Sequence, residues 1–315
     1  MIDFTVILFS LLTMLLLMCV GFLLQKRNMT DERFSANLST LVLYIAMPCM
    51  IVNAFLRDYD SSLLSMMLQV FLIALIAHTL LALLAFICFR KTPEKKRSVL
   101  RYIIIFSNCA FMGFPVLSSI FPEQSATAIL LGACFQVWFN LFTWTLGVRL
   151  YQSENKLRLR RLFLNPGTIA VLIGMLLFLT GARAVLPSFI PNTLQMLSNL
   201  VTPLSMIVVG ISLSKIRSRD LFCDRSLLWA CALRKIITPA FFFAVYFLLR
   251  TLGIYVPDTL VISVPFILLC MPAATTAVMM AQQFGGDAVY ASTGVTLSTL
   301  TSVATIPLMS LLLRL

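Results

Sequence analysis

Two short runs gather most of the chemistry-bearing side chains that lie in strongly apolar surroundings. One is Ser107-Asn108-Cys109-Ala110-Phe111-Met112-Gly113-Phe114-Pro115, and the other is Cys270-Met271-Pro272-Ala273-Ala274-Thr275-Thr276. The amide of Asn108 can donate to a carboxylate, and Gly113 lets a ligand or a second helix approach the backbone. Pro115 and Pro272 each lack a backbone N–H and crowd the preceding turn, which predicts a break in both helices. Thr275 and Thr276 would then open a half-helix whose positive dipole end favours an anion. Asn108, Gly113, Pro115, Met271, Pro272, Thr275 and Thr276 are therefore the expected substrate-binding residues. Plain readings exist beside these: an intramembrane Asn also links helices, and prolines also act as simple kinks.

Other polar groups are sparse. His78, the single histidine, lies near the middle of an apolar run, where it is either a proton carrier or a hydrogen-bonded packing residue. Asn53, Gln136 and Asn140 are candidates to line a cavity. Arg234 and Lys235 lie inside the eighth run, where snorkelling to headgroups is the expected role and attraction of an anion the second. No Asp or Glu falls well inside an apolar run, and Asp258 and Asp287 sit at run ends. A cation carrier ordinarily buries a carboxylate, so the solute is expected to be anionic or neutral. One His and no buried acid pair assemble neither a metal site nor an acid–base dyad in the membrane. Neither an enzyme nor a cofactor nor a metal is expected.

The elements that must position these residues are membrane helices. Hydrophobic residues make up 60% of the chain and charged ones 11%, too few to build a water-facing surface. Mean hydropathy is +0.98. Ten apolar runs are read at Phe4–Leu24, Leu38–Leu56, Ser62–Phe89, Tyr102–Phe121, Ser125–Leu150, Gly167–Gly181, Leu194–Leu213, Leu227–Leu249, Thr259–Gln282 and Ala288–Leu313. Asp3 and the lack of Lys or Arg before the first run argue for a retained helix over a cleaved signal. The expected division is 1–151 as a first five-helix repeat, 152–166 as a basic cytoplasmic linker, and 167–315 as a second, inverted repeat.

Charge placement sets the orientation. Alternate loops collect eighteen Lys and Arg on one side and four on the other, with Arg234 and Lys235 left inside the eighth run. The rich side is expected in the cytoplasm and both termini outside. This placement also disposes of nucleic acid as the partner of a chain with a formal charge of +12. The partners expected are the lipid bilayer and a small solute. Of eight cysteines, seven fall in apolar runs and Cys223 in a cytoplasmic loop, so they read as packing residues.

Features recur at about half the chain length. Pro48-Cys49-Met50-Ile51-Val52 resembles Pro203-Leu204-Ser205-Met206-Ile207-Val208 at an offset of 155, and Pro115 pairs with Pro272 at 157. Pro115 and Pro272 each lie thirteen residues past the start of their runs, at Tyr102 and Thr259. At ~1.5 Å per residue, that is about 20 Å deep from opposite faces of a roughly 30 Å core. Paired broken helices at mid-membrane mark the substrate site of inverted-repeat transporters.

At these residues the chain resembles the auxin efflux carrier family, in its short bacterial form. The resemblance runs along essentially the whole length. It is carried by Asn108 to Pro115, Asn165-Pro166, Met271-Pro272-Ala273-Ala274-Thr275, Leu297-Ser298-Thr299 and Ile306-Pro307. It implies an all-α polytopic fold of ten transmembrane helices in two inverted five-helix repeats, like that of bile-acid and sodium–proton carriers. In that fold the broken helices 4 and 9 cross at their prolines. It implies organic-anion substrates, auxin in plants and malate or malonate for bacterial relatives. The expected function is a secondary transporter working by alternating access in the bacterial cytoplasmic membrane. An anion channel, or an H+- or Na+-coupled symporter of the same architecture, is the alternative. The resemblance leaves coupling open, and also a homodimer, since some relatives are dimers.

Overall fold

The computed structural model describes residues 4–151, 165–214 and 224–314. Most of the basic linker, and the loop carrying Lys215, Arg217, Arg219 and Cys223, lie outside these residues. Within them, all regular structure is helical apart from one antiparallel bridge, Ser107 to Ala273. The first part comprises α1 (Phe4–Lys26), α2 (Glu32–Leu41), α3 (Met47–Phe55), α4 (Ser61–Ile87), α5 (Glu94–Ile105), α6 (Phe114–Ile120), α7 (Ser125–Phe142) and α8 (Val148–Tyr151). The second comprises α9 (Pro166–Leu179), α10 (Phe189–Ser198), α11 (Val201–Ser214), α12 (Arg225–Ala232), α13 (Thr238–Thr251), α14 (Thr259–Cys270), α15 (Thr276–Phe284) and α16 (Ala288–Ser310). Each apolar run falls on one helix or on a joined or broken pair. Several helices begin earlier than their apolar runs, at Glu32, Glu94 and Phe189, because a helix continues past the point where its side chains stop being apolar.

Five acidic residues cap helices among the described residues. Asp31, Asp60, Asp224, Asp258 and Asp287 accept hydrogen bonds from the backbone N–H groups of Phe34, Ser62, Ser226, Leu260 and Tyr290 at 2.6–2.9 Å. Asn165 caps α9 in the same way, through Gly167 N–H at 2.9 Å. Each cap satisfies an otherwise orphaned donor.

Prolines act less directly than expected. Pro48, Pro115 and Pro239 each sit in the first two positions of a helix that follows a π-turn, at Val42–Ala46, Cys109–Gly113 and Leu233–Ile237. A wider turn moves aside the carbonyl that the proline ring would strike. Pro115 therefore does not break its helix. α5 ends at Ile105, and the backbone leaves helical geometry at Phe106 and Asn108, well upstream of that proline. Pro272 does mark a break, since α14 ends at Cys270 and Met271 is extended, as a residue before proline prefers to be.

The helices pack most closely in two sets, which also touch each other where α3 and α9 meet α7. In one, α1 lies along α11, while α3 packs on α9 and α10. In the other, α4 packs on α5, α7 and α14, α14 also packs on α7, and α12 and α16 pack on α5. The α1–α11 contact is backbone on backbone. A Cβ on Gly21 would meet the Ile207 carbonyl oxygen at 2.1 Å, and one on Gly210 would meet that of Met18 at 1.9 Å. Small residues at such a crossing gain van der Waals contact, which membrane helices need in the absence of a hydrophobic drive.

Among the described residues, Arg33–Phe55, Ser61–Ile87, Ser125–Tyr151, Phe189–Ser214 and Arg225–Thr251 are long and apolar enough to cross a membrane. Leu12–Lys26, Cys109–Ile120, Pro166–Leu179 and Thr259–Cys270 are shorter apolar helices. Large apolar side chains such as Leu16, Ile76, Leu176 and Phe241 are exposed on their outer faces. Such surfaces suit lipid, not water.

Candidate functional site: the crossing of two broken helices

The two breaks meet. Asn108 N–H donates to the Pro272 carbonyl at 2.7 Å, and Ala274 N–H donates to the Phe106 carbonyl at 2.9 Å. Backbone groups freed by one interruption are thus satisfied by the other, as a buried position requires. Ala273 N–H donates to the Ser298 hydroxyl of α16 at 2.9 Å, which ties the second break to the last helix. The Asn108 carbonyl accepts from Gly113 N–H at 3.0 Å and from Met112 N–H at 3.3 Å, closing the π-turn.

Side chains around the crossing are buried but incompletely paired. Asn108 is 4% exposed, and its amide Nδ2 has no hydrogen-bond partner. Buried polar atoms normally find partners. Ser205, buried on α11, has an unpaired hydroxyl as well, and α11 packs against the π-turn at Cys109–Gly113.

Other expected residues are distributed unevenly. Gly113 is buried, and a Cβ there would meet the Leu268 side chain at 2.5 Å, so the close approach it permits here is that of α14. Thr276 shares a hydrogen bond with the Tyr102 hydroxyl at 2.9 Å, which joins α15 to α5. Thr275 caps α15 without a side-chain hydrogen bond to its backbone. Gln136 accepts from the Cys109 thiol at 2.8 Å and donates to Asn140 at 3.2 Å, and Asn140 donates to Thr168 at 3.3 Å. Those two amides therefore reach the first break through Cys109. Asn53 does not; it donates to Gln195 at 2.8 Å, linking α3 to α10. His78 is buried, its Nδ1 donates to the Ala74 carbonyl at 2.8 Å, and its ring lies 5.0 Å from Phe135 and 5.6 Å from Phe142.

Arg234 and Lys235 overturn their expected snorkelling. Both lie in the π-turn between α12 and α13, at 0% and 2% exposure. That turn packs against α5, α14 and α16, so the side chains point into protein. Arg234 Nη1 donates to the Ile104 carbonyl at 3.2 Å, one residue before the end of α5. Lys235 donates to the Ser298 carbonyl at 2.8 Å and to the Thr301 hydroxyl. The readable signal was a charged pair within an apolar run, four and five residues before Pro239. Ser298 enters the sequence reading only within Leu297-Ser298-Thr299, one of the stretches that carry the family resemblance.

A family model described as membrane transport protein matches residues 6–158 and 152–310. The chain therefore belongs to this family, the auxin efflux carrier-like membrane transporters. It is similar to two archaeal proteins, both named uncharacterized transporters. One, from Methanothermobacter thermautotrophicus, is 26% identical over 310 residues, which are 96% of this chain and 97% of the relative. The other, from Methanocaldococcus jannaschii, is 26% identical over 208 residues, covering 64% of this chain and 68% of the relative. Family and apolar helices together make this an integral, multi-pass membrane protein of a transporter family.

Proposed function

We propose that this protein is a secondary transporter that moves a small organic anion, a carboxylate, by alternating access through the crossing of its two broken helices. The observation that carries this reading is the joined pair of breaks with Asn108 Nδ2 buried and unpaired beside them. A carboxylate offers acceptor lone pairs to such a donor and would relieve its desolvation. The scarcity of buried acids on the described helices supports an anion over a cation.

The proposed architecture is ten membrane segments in two inverted halves, with both termini outside the cytoplasmic membrane. Its support is the pairing of segments: α1 packs on α11, and α3 packs on α9. Those are the first segment with the seventh and the second with the sixth, pairs that an exchange of halves converts into each other. The α1, α3, α9 and α11 group would be the scaffold, and the group holding the crossing would rock against it. His78 is the proposed proton carrier if transport is coupled to H+.

The reading is tested in proteoliposomes loaded with unlabelled malonate or malate and supplied with the labelled compound outside. Saturable uptake accelerated by internal substrate is expected. Unsaturable, electrically visible flux would make the protein a channel, and uptake of cations or neutral sugars alone would overturn the anion assignment.

A further inference from the structure

The eighth segment brings two cations to the crossing from a helix that neither break belongs to. Arg234 lies nine residues beyond the start of α12, about 14 Å along the axis at ~1.5 Å per residue, which is too deep to reach headgroups from that end. Its single hydrogen bond goes to the carbonyl of Ile104, two residues before Phe106, whose own carbonyl holds the second break. Nε and Nη2 are buried and have no partner.

No carboxylate neutralises it. Among the described residues the one ion pair is Lys96–Asp224 at 3.5 Å, and no Asp or Glu is buried. The neighbouring Lys235 differs, because its ammonium is held by Ser298 and Thr301 and fastens the π-turn to α16. Ser298 also receives the Ala273 N–H, so Lys235 positions the second break through it. Arg234 keeps part of its donor fork unused. A guanidinium stays charged at working pH, and a buried charge needs a partner of opposite sign. Two N–H groups in one plane match the two oxygens of a carboxylate.

We infer that Arg234 is a substrate-binding residue, whose unpaired guanidinium edge at the crossing takes the carboxylate of the transported anion. This rests on the proposed transport of carboxylates through the crossing and assigns the charge that selects them. A resident inorganic anion such as chloride would satisfy the same guanidinium, so the probes must separate the two.

The test uses purified full-length protein in nanodiscs, with thermal shift and equilibrium binding measured against malonate, acetate, chloride and sulfate. Wild type is expected to be stabilised by malonate, with chloride and sulfate giving no comparable shift. Arg234→Gln removes the uncompensated charge while keeping hydrogen-bonding capacity. It is expected to melt at or above the wild-type temperature without ligand and to bind malonate at least ~10-fold more weakly. A merely structural arginine gives the reverse, a lower melting temperature with unchanged malonate affinity. Should Arg234→Gln not fold, Arg234→Lys decides. It keeps the charge but loses the planar fork, so affinity lowered about tenfold supports the assignment and unchanged affinity overturns it. Stabilisation by chloride as strong as by malonate would assign Arg234 to a resident ion instead. If wild type neither binds nor carries any carboxylate, the transport reading falls too. If wild type transports and Arg234→Gln transports equally well, only the role of Arg234 falls.

Discussion

Two crossings organise this molecule, and they are built by opposite means. Where α1 meets α11, Gly21 and Gly210 let two unbroken helices touch backbone to backbone. Where α5 and α14 end, two interrupted helices meet through Asn108, Pro272, Ala274 and Phe106, with buried donors left over. The first crossing is held by dispersion between surfaces with no room to move. The second is held by two backbone hydrogen bonds and by side chains reaching in from α12–α13 and α16. A contact with no slack suits a fixed support. One with unspent donors suits a place that changes partners.

The largest effect is expected at Gly210. Gly210→Leu would drive a side chain into the Met18 backbone, where even a Cβ comes within 1.9 Å of its oxygen. No monodisperse protein is expected on size-exclusion chromatography. At the second crossing, Asn108→Ala is expected to fold and yet to lose function. Removing a donor to a charged ligand costs roughly 1.5–3 kcal/mol, about 10- to 100-fold in uptake. The two prolines are expected to differ in effect. Pro272→Ala frees Met271 to resume helical geometry and is expected to lower uptake about tenfold, whereas Pro115→Ala, downstream of its break, is expected to stay within about threefold of wild type. Initial rates of labelled malonate uptake rank the two.

Smaller effects lie outside both crossings. If His78 carries a proton, His78→Asn abolishes uptake driven by a pH gradient and spares counter-exchange. Equal loss of both would make it a packing residue. Asp60 caps α4, and hydrogen bonds from the Ser62 hydroxyl and N–H hold its carboxyl below the usual range. Because the folded value is the lower one, the stability it contributes is present above about pH 4 and is lost as pH falls through the depressed value. Asp60→Ala is therefore expected to leave malonate uptake unchanged and to reduce thermal stability slightly at neutral pH, with the difference from wild type vanishing in acid.

Much of the helical layout was legible because apolar length is the dominant requirement of a membrane segment. Asn165-Pro166 marked the start of α9, and Pro272 marked one break, since the residue before a proline avoids helical geometry. The other break was misplaced by its proline. Pro265 and Pro307 lie inside helices without interrupting them, so proline alone does not set the position. What sets it at Phe106–Asn108 is a pair of hydrogen bonds to a segment more than 160 residues away, which no local pattern reports. The burial of Arg234 and Lys235 is hidden from the sequence for a related reason. A charge inside an apolar run can face lipid or protein, and the choice depends on neighbouring helices. The Gly21–Gly210 contact likewise needs both partners before either glycine has meaning.

The most direct test of the central claim compares labelled malonate counter-exchange in proteoliposomes holding equal amounts of folded wild-type and Asn108→Ala protein. A carboxylate carrier working through the crossing gives saturable, trans-stimulated exchange by wild type and at least ~10-fold slower exchange by the variant. Equal exchange by both would contradict the site, and no carboxylate exchange by wild type would contradict the function.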